Sequence, residues 1–242
     1  MLLSVVIPTY KEKENLQELL PLIFDELTKA QIPFEVLIVD DNSNDGTEEL
    51  VVSLKMMFSL RHSSTVNSVD LIIRKDKRGL SSAVYDGILQ SKGEVICFMD
   101  ADFSHPPQAL AGMYRLIETN EAELVVGSRL VKGGGVDQWP MYRKFTSFVA
   151  RCLAIPLTRV RDITSGFFMF KKSVFPREKL NLSGFKIGLE IAVKGNYKKV
   201  KEYPIIFSDR KYGESKLSGR IIFDYLKQLA QLYFYKIKTI KK

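Results

Sequence analysis

Residues Glu94 to Pro107 read EVICFMDADFSHPP, and the rest of the chain is organised around them. Val95 to Met99 is an unbroken apolar run, short enough for a strand buried on both faces. Two carboxylates follow, Asp100 and Asp102, one residue apart. Side chains two apart in extended backbone point to the same side, so both acids aim at one point. Carboxylates at the end of a buried strand need a cationic or hydrogen-bonding partner. A divalent cation carrying a ligand's phosphates is one such partner. His105-Pro106-Pro107 ends the strand, and either proline can open the next helix. Taken alone, Asp-Ala-Asp reads better as an acidic surface turn. Its neighbours along the chain change that balance.

Working outward, apolar runs and helical periodicity alternate. Leu2 to Ile7 reads as a first strand stopped by Pro8. Glu14 to Ala30 has helical spacing, with Pro21 inside it. Phe34 to Val39 is a second strand ending in Asp40-Asp41, and Asn42 to Thr47 is a turn whose Asp45 or Thr47 caps the next helix. Met57 to Ser68 reads as a polar loop, Val69 to Ile73 as a third strand and Gly79 to Gln90 as a helix. After the Val95 strand come a helix from Pro107 to about Asn120 and a fifth strand, Glu123 to Val126, leading to Gly127-Ser128-Arg129. Uniformly apolar strands alternating with helices predict an α/β domain, with a mostly parallel sheet covered by helices on both faces. Ligands bind such sheets at the carboxyl ends of the strands. Pro8-Thr9-Tyr10, Asp40-Asp41, Asp100-Ala101-Asp102 and Ser128-Arg129 all fall there.

The second half is less regular. Lys132 to Gly135 serves equally as a lid hinge or a surface turn. Arg143 to Ile155 is helical in pattern, Gly166 to Phe170 strand-like, Gly188 to Lys194 a helix carrying Glu190, and Lys199 to Phe207 extended with a break at Pro204. Ser208 to Ser215 is a polar loop. Leu217 to about Ile237 is a final helix with an apolar stripe and a lysine-rich end, suited to docking on a membrane surface or to packing on the core.

Composition narrows the class. The 242 residues are 45% apolar and carry a net charge of +8, which points to an anionic partner: nucleic acid, a phosphorylated substrate or anionic lipid. Two cysteines make no disulfide framework, so Cys97 and Cys152 are expected as reduced core thiols. The N-terminus has no basic region before its apolar run, and no stretch approaches the ~20 apolar residues of a membrane span. No zinc spacing, RNA-binding motif, Gly-x-Gly-x-x-Gly or Gly-x-x-x-x-Gly-Lys motif is present. A bound nucleotide is therefore expected to rest on strand-end acids and a metal.

Several stretches together carry a resemblance: Pro8-Thr9-Tyr10 with Glu12 to Leu16, DDNSNDGT (Asp40 to Thr47), DADFSHPP (Asp100 to Pro107), VGSR (Val126 to Arg129), Trp139-Pro140 with Arg143, DITSGF (Asp162 to Phe167) and FSDRKYGESKL (Phe207 to Leu217). They resemble the family 2 glycosyltransferases of the GT-A fold, a Rossmann-like α/β fold, over nearly the whole chain. The longer motifs are similar to the branch that moves mannose from GDP-mannose to dolichyl phosphate, feeding protein glycosylation and GPI anchor synthesis. The resemblance implies a single GT-A domain over residues 1–216. Residues 217–242 would be an amphipathic helix and basic tail, within that domain or facing a membrane. It implies that Pro8, Tyr10, Glu12, Val39 and Asp40 hold the guanosine, and that Asp100, Ala101 and Asp102 form the diphosphate segment. Asp100 and Asp102 would be the ligands for Mg²⁺ or Mn²⁺. It implies that Arg129, Arg143 and Ser147 meet the acceptor phosphate and that Arg210 and Lys216 close over both sets of phosphates. Asp102, Arg129, Arg210 and Lys216 are the expected catalytic set. Small membrane-spanning subunits are expected to tether the chain to the cytosolic face of the endoplasmic reticulum. Two other readings fit parts of the sequence: a dolichyl-phosphate glucosyltransferase using UDP-glucose, and a non-catalytic basic adaptor binding lipid or nucleic acid. Retention of both aspartates and all four cations argues against the adaptor.

Overall fold

The computed structural model describes residues 1–61, 67–137, 139–176, 180–182, 186–209 and 219–240. Strands β1 (Leu3–Thr9), β2 (Phe34–Asp40), β3 (Ser68–Ile73) and β4 (Val95–Phe98) alternate with helices α1 (Lys13–Lys29), α2 (Thr47–Arg61) and α3 (Leu80–Gln90). Then come α4 (Ala109–Glu118), β5 (Leu124–Ser128), β6 (Gly135–Val136), α5 (Met141–Ala154), β7 (Phe168–Lys171), α6 (Ile187–Lys194), β8 (Val200–Pro204), β9 (Ile206–Phe207) and α7 (Gly219–Ile240). The main sheet has the order β3-β2-β1-β4-β7-β5-β8, and β6 pairs with β9 alongside.

Alternate residues of each strand feed two cores. Val95, Cys97 and Met99 face one core, with α1, α2 and α4. Ile96 and Phe98 face the other, with α3, α6 and the two buried leucines of α7, Leu229 and Leu232. Burial on both faces explains the uninterrupted apolar runs. The sheet is mixed because β7 is antiparallel to both β4 and β5, with Phe168 opposite Phe98 and Val126. Two reversals leave β5 running with β1 to β4, and β8 parallel to β5. All the expected carboxyl ends therefore share one edge. The reversed β7 adds its own amino end there, so the Asp162–Gly166 loop joins that edge.

Some expectations need correcting. Pro8 does not stop β1, which continues to Thr9 with Pro8 opposite Val39. Val6 O accepts the Met99 N–H while Thr9 O accepts the Asp41 N–H, so Pro8 turns its nitrogen toward the β4 side. Strand β4 ends at Phe98, and the missing donor costs nothing there. Pro21 lies within a continuous α1. The segment expected as a loop from Met57 is helical as far as Arg61, and Ser68 already belongs to β3. Cys97 is buried as expected, but Cys152 is exposed, because α5 buries only Ala154. Lys132 to Gly135 is a turn fitted to the sheet rather than open chain. Gly134 packs so close that a Cβ there would lie 2.5 Å from Ser128 O, and Gly135 begins β6.

Candidate active site

The carboxyl ends of β1, β2, β4 and β5 form a row of charged groups. Asp40 is held from three directions: Thr9 Oγ1 donates to Oδ1 at 2.9 Å, Ser43 N to Oδ2 at 2.7 Å and Ser43 Oγ to Oδ1 at 2.5 Å. Ser43 Oγ also accepts the Lys11 N–H at 2.8 Å, which ties the β1 and β2 loops together. Asp41 pairs with Arg74 and accepts the Gly79 N–H at 2.8 Å. Arg74 was not singled out in the sequence; its pairing crosses strands β2 and β3 and has no local signature. Tyr10 is half-buried, with Arg78 5.3 Å and Lys11 5.7 Å from its ring centre. Glu12 sits at the start of α1 and accepts from Asn15 Nδ2 at 2.6 Å. Pro8 and Val39 are buried, and Val39 packs into the α3 core, so only its backbone faces this edge.

At the end of β4, Ala101 and Asp102 are buried, while the Asp100 side chain keeps 39% of its exposure. Asp102 Oδ1 accepts the Ser104 N–H at 3.1 Å. The Asp100 N–H donates to Nδ1 of the fully buried His105 at 3.0 Å. Burial pulls His105 down to about 4, with the Asp102 charge opposing, so the ring is neutral. It stacks on Phe167 at 5.2 Å. Gly166 keeps the space in front of Asp100 open, because a Cβ there would lie 3.1 Å from Asp100 Oδ2 and 2.9 Å from His105 Cε1. Among the described residues no third His, Cys, Asp or Glu joins this pair as a metal-binding cluster. Two carboxylates, one still open to solvent, fit a Mg²⁺- or Mn²⁺-type cation that takes its remaining oxygens from a diphosphate and water.

On the β5 side, Arg129 is 8% exposed and bound to Asp162. Its backbone N and Nε donate to Asp162 Oδ2 at 2.9 and 2.8 Å, and Nη2 donates to Oδ1 at 2.5 Å. Nη2 also donates to Thr164 Oγ1 at 2.8 Å. Burial alone would raise the Asp162 carboxyl, but its hydrogen bonds and the Arg129 charge outweigh it and hold the group below the usual range. Arg129 thus enters the site with a bound counter-ion. Its guanidinium lies 5.1 Å from the Trp139 ring centre and 5.3 Å from that of Phe207. Arg143, from the first turn of α5, stacks on the same tryptophan at 4.1 Å and pairs with Asp209. Ser147 is half-buried, four residues after Arg143 and so on the same helix face.

Lys186, just before α6, was not anticipated. It donates to Thr164 O at 2.7 Å. Burial, then the Arg129 charge, pulls it down to about 8, with Asp100 and Asp162 opposing. No sequence signal near Lys186 announces it. Glu190 is buried and pairs with Lys194 at 2.6 Å. Its Oε1 also accepts from Gln228 Nε2 of α7 at 3.4 Å, so it fastens two helices together. Arg210 and Lys216 lie outside the described residues.

The profile of glycosyl transferase family 2 matches residues 4–180. A dolichol-phosphate mannosyltransferase of Pyrococcus furiosus is 42% identical over 96% of this chain, which spans 64% of that relative's length. The dolichol-phosphate mannosyltransferase of Saccharomyces cerevisiae is 38% identical over 96% of this chain and 87% of its own. Among solved structures, a mannosyltransferase from Pyrobaculum calidifontis in complex with GDP-mannose and Mn²⁺ superposes with a TM-score of 0.62 at 18% identity, covering 98% of this chain and 64% of that one. With the matched profile covering most of the mixed sheet and both strand-end aspartates, the chain belongs to glycosyl transferase family 2.

Proposed function

We propose that the protein transfers mannose from GDP-mannose to dolichyl phosphate, giving dolichyl β-D-mannosyl phosphate and GDP with inversion at the anomeric carbon. The observation that carries this reading is the edge itself: the Asp100/Asp102 pair faces the same rim as Arg129, Arg143 and Lys186. Two anions, a diphosphate and a phosphate monoester, need such a mixture. Mg²⁺ or Mn²⁺ held by Asp100 and Asp102 would supply charge neutralisation of the leaving diphosphate. The second pKa of a phosphate monoester is ~6, so the acceptor arrives largely dianionic and needs no catalytic base. The neutral His105 is accordingly left to shape the Asp100 backbone rather than to move a proton. In the displacement, an acceptor oxygen forms the new bond to the mannose anomeric carbon as the bond to GDP breaks. Arg143 and Ser147 would receive the acceptor phosphate, and Asp209 must release Arg143 for that contact. Arg129, fixed by Asp162, would hold the rim in shape and offer its remaining donor edge. Arg210 and Lys216 are assigned to the donor and acceptor phosphates on sequence motif alone.

The acceptor's lipid tail needs an apolar surface, and α5 and α7 offer one. Phe145 and Phe148 of α5, with Phe223 and Phe234 of α7, are all more than half exposed. An aromatic face of this size on two adjacent helices suits docking in a bilayer interface. No helix among the described residues is long and apolar enough to cross a membrane. We assign residues 219–240 to that docking face as well as to the domain, and expect it at the cytosolic side of the endoplasmic reticulum with small tethering subunits. The test is transfer of label to a short polyprenyl phosphate from GDP-mannose and, separately, UDP-glucose. Labelled lipid with GDP-mannose alone is expected. Transfer from UDP-glucose alone would assign the chain to glucosyl transfer instead.

A further inference from the structure

Helix α7 is fastened to the C-terminal end of α5 and the residues just after it. Tyr225 Oη donates to Ala150 O and Tyr233 Oη to Leu153 O, both at 2.7 Å, and Lys236 Nζ donates to Pro156 O at 2.5 Å. Where both helices end, two adjoining cavities of about 670 and 510 Å³ open, sharing Val193, Gly195 and Lys236. Ile155, Val193 and Val200 give the larger one apolar walls, and Arg159, Lys198 and Lys236 bring cations. No Asp or Glu lines either cavity among the described residues. The nearby acids stand just outside the lining and are held by their own neighbours. Glu123 Oε2 accepts the backbone N–H groups of Lys198 and Lys199 at 2.5 and 3.1 Å, and Glu190 pairs with Lys194.

The cleft is separate from the reaction centre. Ile155 lies twelve residues beyond Arg143, about 18 Å along the α5 direction at helical rise. It opens beside exposed apolar residues of the docking face, Ile155 at 58% and Ile237 at 50%. Arg159, Lys198 and Lys236 in a lining that holds no acid among the described residues, behind an apolar rim, match a phosphate group carried on acyl chains. We propose that this cleft binds the anionic headgroup of a membrane phospholipid. The inference rests on the reading that the α5–α7 face docks on a bilayer. A headgroup held at the far end of α5 would fix that helix in the interface, with Arg143 at its other end aimed at lipid-borne phosphate.

The test is flotation of the full chain with vesicles of phosphatidylcholine alone and with phosphatidylserine added. Three proteins are compared: the unaltered chain, Arg159→Gln/Lys198→Gln, and the equally charged control Lys29→Gln/Lys92→Gln. All four positions are exposed, so folding is unaffected. Each basic residue near an anionic surface is worth about five-fold in partitioning, so the cleft variant should lose on the order of 25-fold of the serine-dependent gain. The control should lose less than about two-fold, and binding to phosphatidylcholine alone should be equal for all three. Equal losses in both variants would make the attraction diffuse and overturn the cleft. Binding to neutral vesicles with no gain from phosphatidylserine would overturn the cleft while leaving the docking face intact. Failure to bind either vesicle would overturn the docking reading and the cleft with it. Loss of the gain to added inorganic phosphate at constant ionic strength would assign the cleft to a free anion.

Discussion

Around β1 and β2, the carboxylates are held by their own neighbourhood. Asp40 is bonded by Thr9 and Ser43, and Asp41 by Arg74 and Gly79, with strands buried on both sides. Around β5, α5 and α7, charges are balanced in pairs at the rim, and the helices turn aromatic side chains outward. Helix α5 buries a single residue, Ala154. In the first region the strands are covered, and Asp40 and Asp41 have their partners within the fold. The second pairs its charges, Arg143 with Asp209 among them, but leaves the aromatic side chains of α5 and α7 uncovered. On the proposed function, the first region would grip the nucleotide and the second would select the acceptor.

Four changes test that contrast. The largest effect is expected from Asp102→Asn, which should lower transfer on the order of 10³-fold with an unchanged unfolding midpoint, read by rate assay and urea denaturation. Near-normal activity would remove the diphosphate assignment. Next is Asp162→Ala. It leaves Arg129 as a buried cation without its counter-ion, and about 3–5 kcal/mol of stability should be lost in denaturant unfolding. A loss under about 1 kcal/mol would mean that water reaches Arg129 and that the rim is not built on this pair.

The third concerns pH. His105 is lowered in the folded chain to about 4, against an ordinary value near 6.5. Between those values the unfolded chain takes up a proton that the folded chain refuses. Stability should therefore fall as pH drops from about 6.5 to about 4, by on the order of 3 kcal/mol, when measured in chelator. His105→Gln should flatten the slope, and an unchanged slope would place its origin elsewhere. The smallest structural effect belongs to the second region. Phe145→Ser with Phe223→Ser should leave stability within about 0.5 kcal/mol, since both rings already face solvent. Partitioning onto phosphatidylcholine vesicles should weaken by about 1.5–3 kcal/mol per ring that inserts. Unchanged partitioning would show that this face does not meet the bilayer.

Much of the first region was legible in the sequence because its signals are local. Five apolar runs give five strands, and four of them end in the polar clusters that mark the ligand edge. The errors there are at boundaries, as where Pro8 sits inside β1 because its neighbour β4 has already ended. The second region was less legible because its structure depends on distant pairing. Nothing in GFFMF announces that β7 runs backwards between β4 and β5, yet that reversal delivers Asp162 to Arg129. Lys186 reaches Thr164 O across 22 positions, and no spacing rule predicts it. Cys152 is expected inside as a reduced thiol, but α5 turns its apolar residues outward and Cys152 with them. An amphipathic stripe shows that a face needs cover, not what covers it.

Inverting, cation-dependent transfer to a lipid phosphate can be read in one product analysis. The chain is incubated with GDP-mannose and polyprenyl phosphate in detergent, with Mg²⁺ or Mn²⁺ and then with EDTA, and the anomeric configuration of the product is read by NMR. The expected product is a β-mannosyl phosphate formed only when the divalent cation is present. An α-linked product, or transfer undiminished by EDTA, would contradict it.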